Sequence, residues 1–88
     1  MTVSAVRLHP SDSVICLLRA HRRGECPEFG VELGAPLLAD VPLGHKVALA
    51  PIPCGSEVRK HGAPIGRATA DIAAGEHVHL HNLTGGGP

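Results

Sequence analysis

Aromatic residues are almost missing from this sequence. Among 88 residues there is one phenylalanine, Phe29, and no tryptophan or tyrosine. Single-strand nucleic-acid binders stack bases on aromatic rings, so that mode has no platform here. Net charge is missing too, because eight basic residues balance eight acidic ones and leave no electrostatic footprint for a phosphate backbone. Nucleic acid is therefore not an expected partner. The three cysteines, Cys16, Cys26 and Cys54, are odd in number and lack a C-x-x-C spacing, which argues against a disulfide framework and a zinc ribbon. No run approaches the roughly 20 apolar residues of a membrane span. Met1 is followed by a polar, mixed segment without the charged start and apolar stretch of a signal peptide. A soluble cytoplasmic protein with no membrane partner is the expectation.

What is there suffices for one small folded domain. Hydrophobic residues make up 43% of the chain, so the core must be built from Val, Ile, Leu, Ala and Pro. A chain of this length buries only about 60–65% of its unfolded surface, so its core is modest, and many domains of this size lean on a partner subunit. The expected organisation is a domain over residues 1–82 and a flexible, glycine-rich tail over 83–88. Seven histidines are the unusual feature, since imidazole is the side chain whose unperturbed charge change falls near neutral pH.

A short pattern recurs three times: ADVPLGHKV from Ala39 to Val47, APIPCGSEV from Ala50 to Val58, and ADIAAGEHV from Ala70 to Val78. A weaker echo runs from Ala20 to Pro27 with Gly24 in the glycine slot. The branched residue of each copy (Val41, Ile52, Ile72) is expected to end an extended segment and point inward. Pro42 and Pro53 restrict φ, and Gly44, Gly55 and Gly75 supply the positive φ of a tight turn. Glycine spacings of 11 and then 20 residues exclude a solenoid and suit a repeated device within one β domain. The turns separate expected strands at Val3–Leu8, Ser13–Arg19, Val31–Leu33, Pro36–Ala39, Lys46–Ala50, Val58–Lys60, Pro64–Ala70 and His77–His81. Fold class is thus mostly β, with short, bent strands.

GHKVAL at Gly44–Leu49, VRKHGAPIGRATADI at Val58–Ile72 and GEHVHLHN at Gly75–Asn82 together resemble the small domain of altronate and galactarate dehydratases. The same order is similar to the small subunit of sulfolactate sulfo-lyase. The resemblance extends over roughly Val3 to Asn82 and is strongest from Gly44 onward. It implies an SAF-type β-clip that accompanies a larger catalytic part and acts on acid sugars with a divalent metal such as iron or manganese. Two departures stand out. His61 occupies a place where the family often has an aromatic, and Cys26–Gly34 does not align.

Elimination of water from a hydroxy acid removes a weakly acidic proton beside a carboxylate and needs stabilisation of the resulting charge. Eighty-eight residues without paired carboxylates do not make that site alone, so the chain is expected to be a component of a hydro-lyase, inactive without a large subunit. His77, His79 and His81 alternate with Val78 and Leu80, which in an extended strand sets neighbours roughly 6.6 Å apart and the outer two roughly 13 Å apart. His79 with one neighbour, joined by His45, is the candidate metal set, with His77 and His81 also named. The competing reading is the polar face of a half-buried strand. Lys46, Arg59, Lys60 and Arg67 are candidates for holding a substrate carboxylate, or are ordinary solvated charges. Gly62, Pro64 and Gly66 shape a loop whose backbone donors suit an anion. Cys54 reads as a turn filler and Cys16 as core. The alternatives to a lyase component are a stand-alone SAF binding module and a metal-binding protein without catalysis. Unpaired strand edges further predict self-association as a homo-oligomer.

Overall fold

The computed structural model describes residues 3–29 and 35–84. Its described elements are six short strands: β1 (Ala5–Val6), β2 (Val14–Leu17), β3 (Lys46–Ala48), β4 (Glu57–Lys60), β5 (Ala63–Arg67) and β6 (His77–Val78). β1, β2, β3 and β6 form an antiparallel sheet in that order, and β4 and β5 form a separate hairpin. Eleven glycines and eight prolines leave little uninterrupted backbone for a helix. The mostly β reading therefore holds.

Several expected strands are shorter than their apolar runs. Val3–Leu8 contracts to two residues, and Pro64–Ala70 to Ala63–Arg67. Pro36–Ala39 is not a strand, although Leu37 is buried and its N–H donates to the Glu25 carbonyl. Val31–Leu33 lies outside the described residues. His77–His81 is not one strand either: β6 stops at Val78, and a turn follows in which the Asn82 N–H donates to the His79 carbonyl at 3.1 Å. Past the hairpin, Ala68 bridges to Leu83, and the Thr84 N–H donates to the Arg67 carbonyl.

Alternation on so short a sheet divides the core in two. Ala5, Ile15, Leu17 and Val47 project from one face and pack with Leu37 and Val41. Val14, Ala48 and Val78 project from the other and pack with Ile52, Val58, Ala68 and Ile72. Cys16, expected in the core, belongs to neither cluster and is only half-buried.

The repeated turns hold these layers together. In each copy a backbone N–H closes the turn onto the residue three before it: Glu25 to Arg22, His45 to Pro42, Ser56 to Pro53 and Glu76 to Ala73, at 3.0–3.2 Å. The turn glycines have φ near +80 to +90°, and each donates its N–H to a different segment, as Gly75 does to Ala48. The copies also associate in pairs. His21 bridges Val41, and Ile52 bridges Ile72. Asp40 accepts from the Arg23 N–H and Asp71 from the Cys54 N–H, each at 2.8 Å. The echo at Gly24 is thus a full fourth copy.

His21 fills the branched-residue slot of that fourth copy and is buried. Its Nδ1 lies 2.9 Å from the Arg19 carbonyl, which only accepts, so Nδ1 donates there, and Nε2 lies 2.9 Å from the Ser4 hydroxyl. Asp12 performs a comparable task at the β4–β5 turn. His61 and Gly62 both have positive φ, as a two-residue hairpin turn requires, and their N–H groups donate to the two Asp12 carboxylate oxygens at 2.8 Å. Burial opposes ionisation of Asp12, but these two donors together with His9 hold its pKa below the ordinary 3.8.

Two measurements follow on stability. A Cβ at Gly24 meets nothing within 4 Å, whereas one at Gly75 stands 2.6 Å from the Pro36 carbonyl oxygen. Gly24→Ala should therefore cost about 1 kcal/mol through backbone conformation alone, and Gly75→Ala at least about 2 kcal/mol; equal costs in urea unfolding contradict this packing. Because the Asp12 pKa is depressed in the fold, the unfolded chain takes up that proton first as pH falls. Its stabilisation is complete above about pH 5 and is lost as pH drops through the native value. Thermal unfolding from about pH 6 to about pH 2.5 should show a smaller acid loss for Asp12→Asn than for the parent.

Candidate metal centre

The register of β3 with β6 assembles the site. Lys46 pairs with Val78 and Val47 with His77, so the next residues outward, His45 and His79, stand opposite each other. Cross-strand partners share a face, and residues two apart on a strand share it too. His45, His77 and His79 therefore project from the face of Val47 and Ile15, continuing an apolar layer to the sheet edge as imidazoles.

The rings converge closely. His45 and His79 stack with centroids 4.3 Å apart, His45 and His77 are 5.0 Å apart, and His77 and His79 are 5.4 Å apart. His45 Nδ1 lies 2.9 Å from His77 Nε2, a hydrogen bond in which one nitrogen carries the shared proton. One ring nitrogen from each of the three lies within 4.8 Å of the others, and all three side chains are partly open to solvent. His81, within the turn, brings its ring to 5.4 Å from His77. In a continued strand those two residues would be far apart, so the turn after Val78 makes His81 a neighbour. His77, set at the outer end of the run by the alternation, is the ring that contacts all the others.

Burial lowers the pKa of His77, reinforced by the charges of His45, His81, His79 and Lys46. His79 is lowered by the same causes in order: burial, then His45, Lys46 and His81. Both rings thus stay neutral further into acid than a free imidazole, and neutral nitrogen is the form that ligates metal.

Asn82 was not singled out by its residue type, yet it organises the site. Its side chain is buried. Oδ1 accepts from the His79 N–H at 2.9 Å, and Nδ2 donates to the His77 carbonyl at 2.8 Å and to Glu76 Oε2 at 3.3 Å. Glu76 Oε1 in turn accepts from the Ala73 N–H within the glycine turn. The one available signal was position: an amide three residues after His79 closes a local turn onto its backbone.

The basic candidates are not gathered at the histidines. Lys46 alternates with His45 and so projects from the other face of the sheet. Arg59 pairs with Glu57 and donates to the Gly62 carbonyl, while its own carbonyl accepts from Ser13 before the start of β2. His45 lies at the opposite end of β2, beside Leu17, so Arg59 and the adjacent Lys60 are remote from it. Arg67 reaches to the Gly55 carbonyl. The backbone donors at Gly62 receive the Asp12 carboxylate.

A family model described as the altronate/galactarate dehydratase SAF domain matches residues 3–86. Altronate dehydratase of Bacillus subtilis is 39% identical over 80 residues, 90% of this chain and 16% of that protein. Altronate dehydratase of Escherichia coli is 45% identical over 78 residues, 88% of this chain and 15% of that protein. The (2R)-sulfolactate sulfo-lyase subunit alpha of Paracoccus pantotrophus is 48% identical over 44 residues, half of this chain and 66% of that subunit. The chain thus spans only a small part of the dehydratases it matches.

Asn82→Ala should weaken binding of a divalent ion at the triad by about tenfold to 100-fold, the usual effect of losing a group that orients ligands. Asn82→Asp keeps the acceptor for the His79 N–H and should fall between. Calorimetric titration with Zn(II) checks the order, and equal affinity in all three proteins would remove Asn82 from the site.

Proposed function

We propose a role from one premise: the chain belongs to the altronate/galactarate dehydratase SAF domain family. It serves as the small component of a lyase that eliminates water beside the carboxylate of a sugar acid, and it acts only with a large catalytic part. The observation that carries this reading is the convergence of His45, His77 and His79 at one open edge of the sheet.

The three residues fit a divalent ion such as iron or manganese. Their donors are imidazole nitrogens, and once the proton shared by His45 Nδ1 and His77 Nε2 is released, the 2.9 Å between them suits adjacent ligands each about 2.1 Å from one ion. A bound divalent ion supplies a Lewis acid for a substrate carboxylate or hydroxyl oxygen. The protein's own residues do the rest. Three imidazoles add no negative charge, so the site favours an anionic oxygen ligand, which a sugar acid provides. Asn82 and Glu76 fix the backbone at His77 and His79, so the rings are set before substrate arrives. His81 stands beside His77 and is exposed, and in this reading it is the group that hydrogen-bonds a substrate hydroxyl. The half-open site does not exclude water by itself, and the catalytic part supplies that closure along with the proton-abstracting base.

The test is titration of the chain with Fe(II), Mn(II) and Zn(II), followed by assay with the catalytic part on a sugar acid. His45→Ala, His77→Ala and His79→Ala should each lower metal affinity by about 100-fold or more and abolish dehydration. Full activity in all three variants would sink the proposal.

A further inference from the structure

The described residues include six exposed large hydrophobic side chains: Val3, Leu8, Leu18, Leu38, Leu43 and Leu80. Such residues scattered singly need no explanation. Strand register shows that four of them are gathered. Ala5 pairs with Leu17, and the Leu18 N–H donates to the Ser4 carbonyl, so Val3 and Leu18 stand where β1 enters the sheet and β2 leaves it. The Gly44 N–H donates to the Leu17 carbonyl, which puts Leu43 at the same end, where β3 enters. Val78 pairs with Lys46, so β6 also leaves there, and Leu80 follows it at 80% exposure. Leu8 lies at the opposite end, beyond Val6, and Leu38 sits beside Gly75.

Val3, Leu18, Leu43 and Leu80 thus share one end of the sheet with His45 and His79. We propose that this end is the docking face for the catalytic part of the enzyme, with the leucines as apolar anchors around the histidine cluster. The identity of the occupant rests on the function proposed above. It is supported by length, since the matched dehydratases extend far beyond the 16% and 15% of each that corresponds to this chain. The sulfo-lyase relative is likewise named as one subunit of an enzyme. Continuity with the site points the same way. An elimination beside a carboxylate needs the histidines covered from water, and whatever covers them at this end also meets Leu43 and Leu80. Exposed apolar residues gathered at one end, rather than scattered singly, mark a surface that a partner covers.

The test uses the assembled enzyme, with this chain co-expressed with its catalytic partner, and the variants Leu43→Glu, Leu80→Glu and Leu8→Glu. All three residues are exposed, so thermal unfolding of the variant chains should match the parent. Calorimetric or sedimentation measurement of the complex should show about tenfold or greater weakening for Leu43→Glu and for Leu80→Glu. Leu8→Glu, at the far end, should change affinity by less than about twofold. Parent-like affinity of both Leu43→Glu and Leu80→Glu overturns the docking face while leaving the function intact. The same holds if these variants disrupt only self-association, which assigns the face to a second copy. If the parent chain forms no complex at all, the proposed function fails together with the docking face.

Discussion

A chain with one aromatic and many glycines and prolines must satisfy its backbone polar groups with little help from helices or long strands. Here one hydrogen-bonded turn does this four times. A backbone N–H closes each turn, a glycine at positive φ carries the chain round, and that glycine's own N–H reaches a carbonyl in another segment. Two aspartates, Asp40 and Asp71, fasten the turns in pairs through the backbone of the partner copy. Every strand pairing that matters to the site hangs on this device. β6 begins two residues after Gly75, whose N–H donates to Ala48 at the end of β3, so the turn sets the register that brings His77 beside Val47.

The site gains from sitting at the end of so small a sheet. Side chains in the middle of its two faces are consumed by the two core clusters, while those at the β3–β6 edge remain open on one side. His45, His77 and His79 therefore stand on a rigid base of Val47 and Ile15 without being sealed in. Burial and mutual charge both disfavour the protonated forms of His77 and His79, which leaves lone pairs available to a ligand. The buried amide of Asn82 adds the fixed orientation that three surface imidazoles would otherwise lack. The same openness leaves Leu43 and Leu80 exposed beside the rings.

Much of the fold was legible because it is local. Proline and glycine at fixed offsets mark a turn wherever they fall, and Val41, Ile52 and Ile72 are buried as their place in the pattern requires. Strand ends were less legible. Apolar runs such as Val3–Leu8 extend past the residues that find a ladder partner, and pairing is a property of two segments. The stretch after Val78 alternates as a strand does, but Asn82 captures the His79 N–H and turns the chain. A side chain competing for one backbone donor overrode the periodicity.

What the sequence alone determined about this protein is the set of turns, the β class, the family motifs and the stock of histidines, since each depends on residues a few positions apart. Tertiary structure decided which of those residues meet. His45 reaches His77 across 32 positions because β3 and β6 are neighbours in the sheet. Arg59 and Lys60, equally plausible by residue type, lie on a hairpin fastened to the other end of β2. Asp12 occupies the loop donors at His61 and Gly62 from some 50 positions away. Side-chain chemistry is written in each residue, but convergence depends on strand order and register, which are set by long-range pairing.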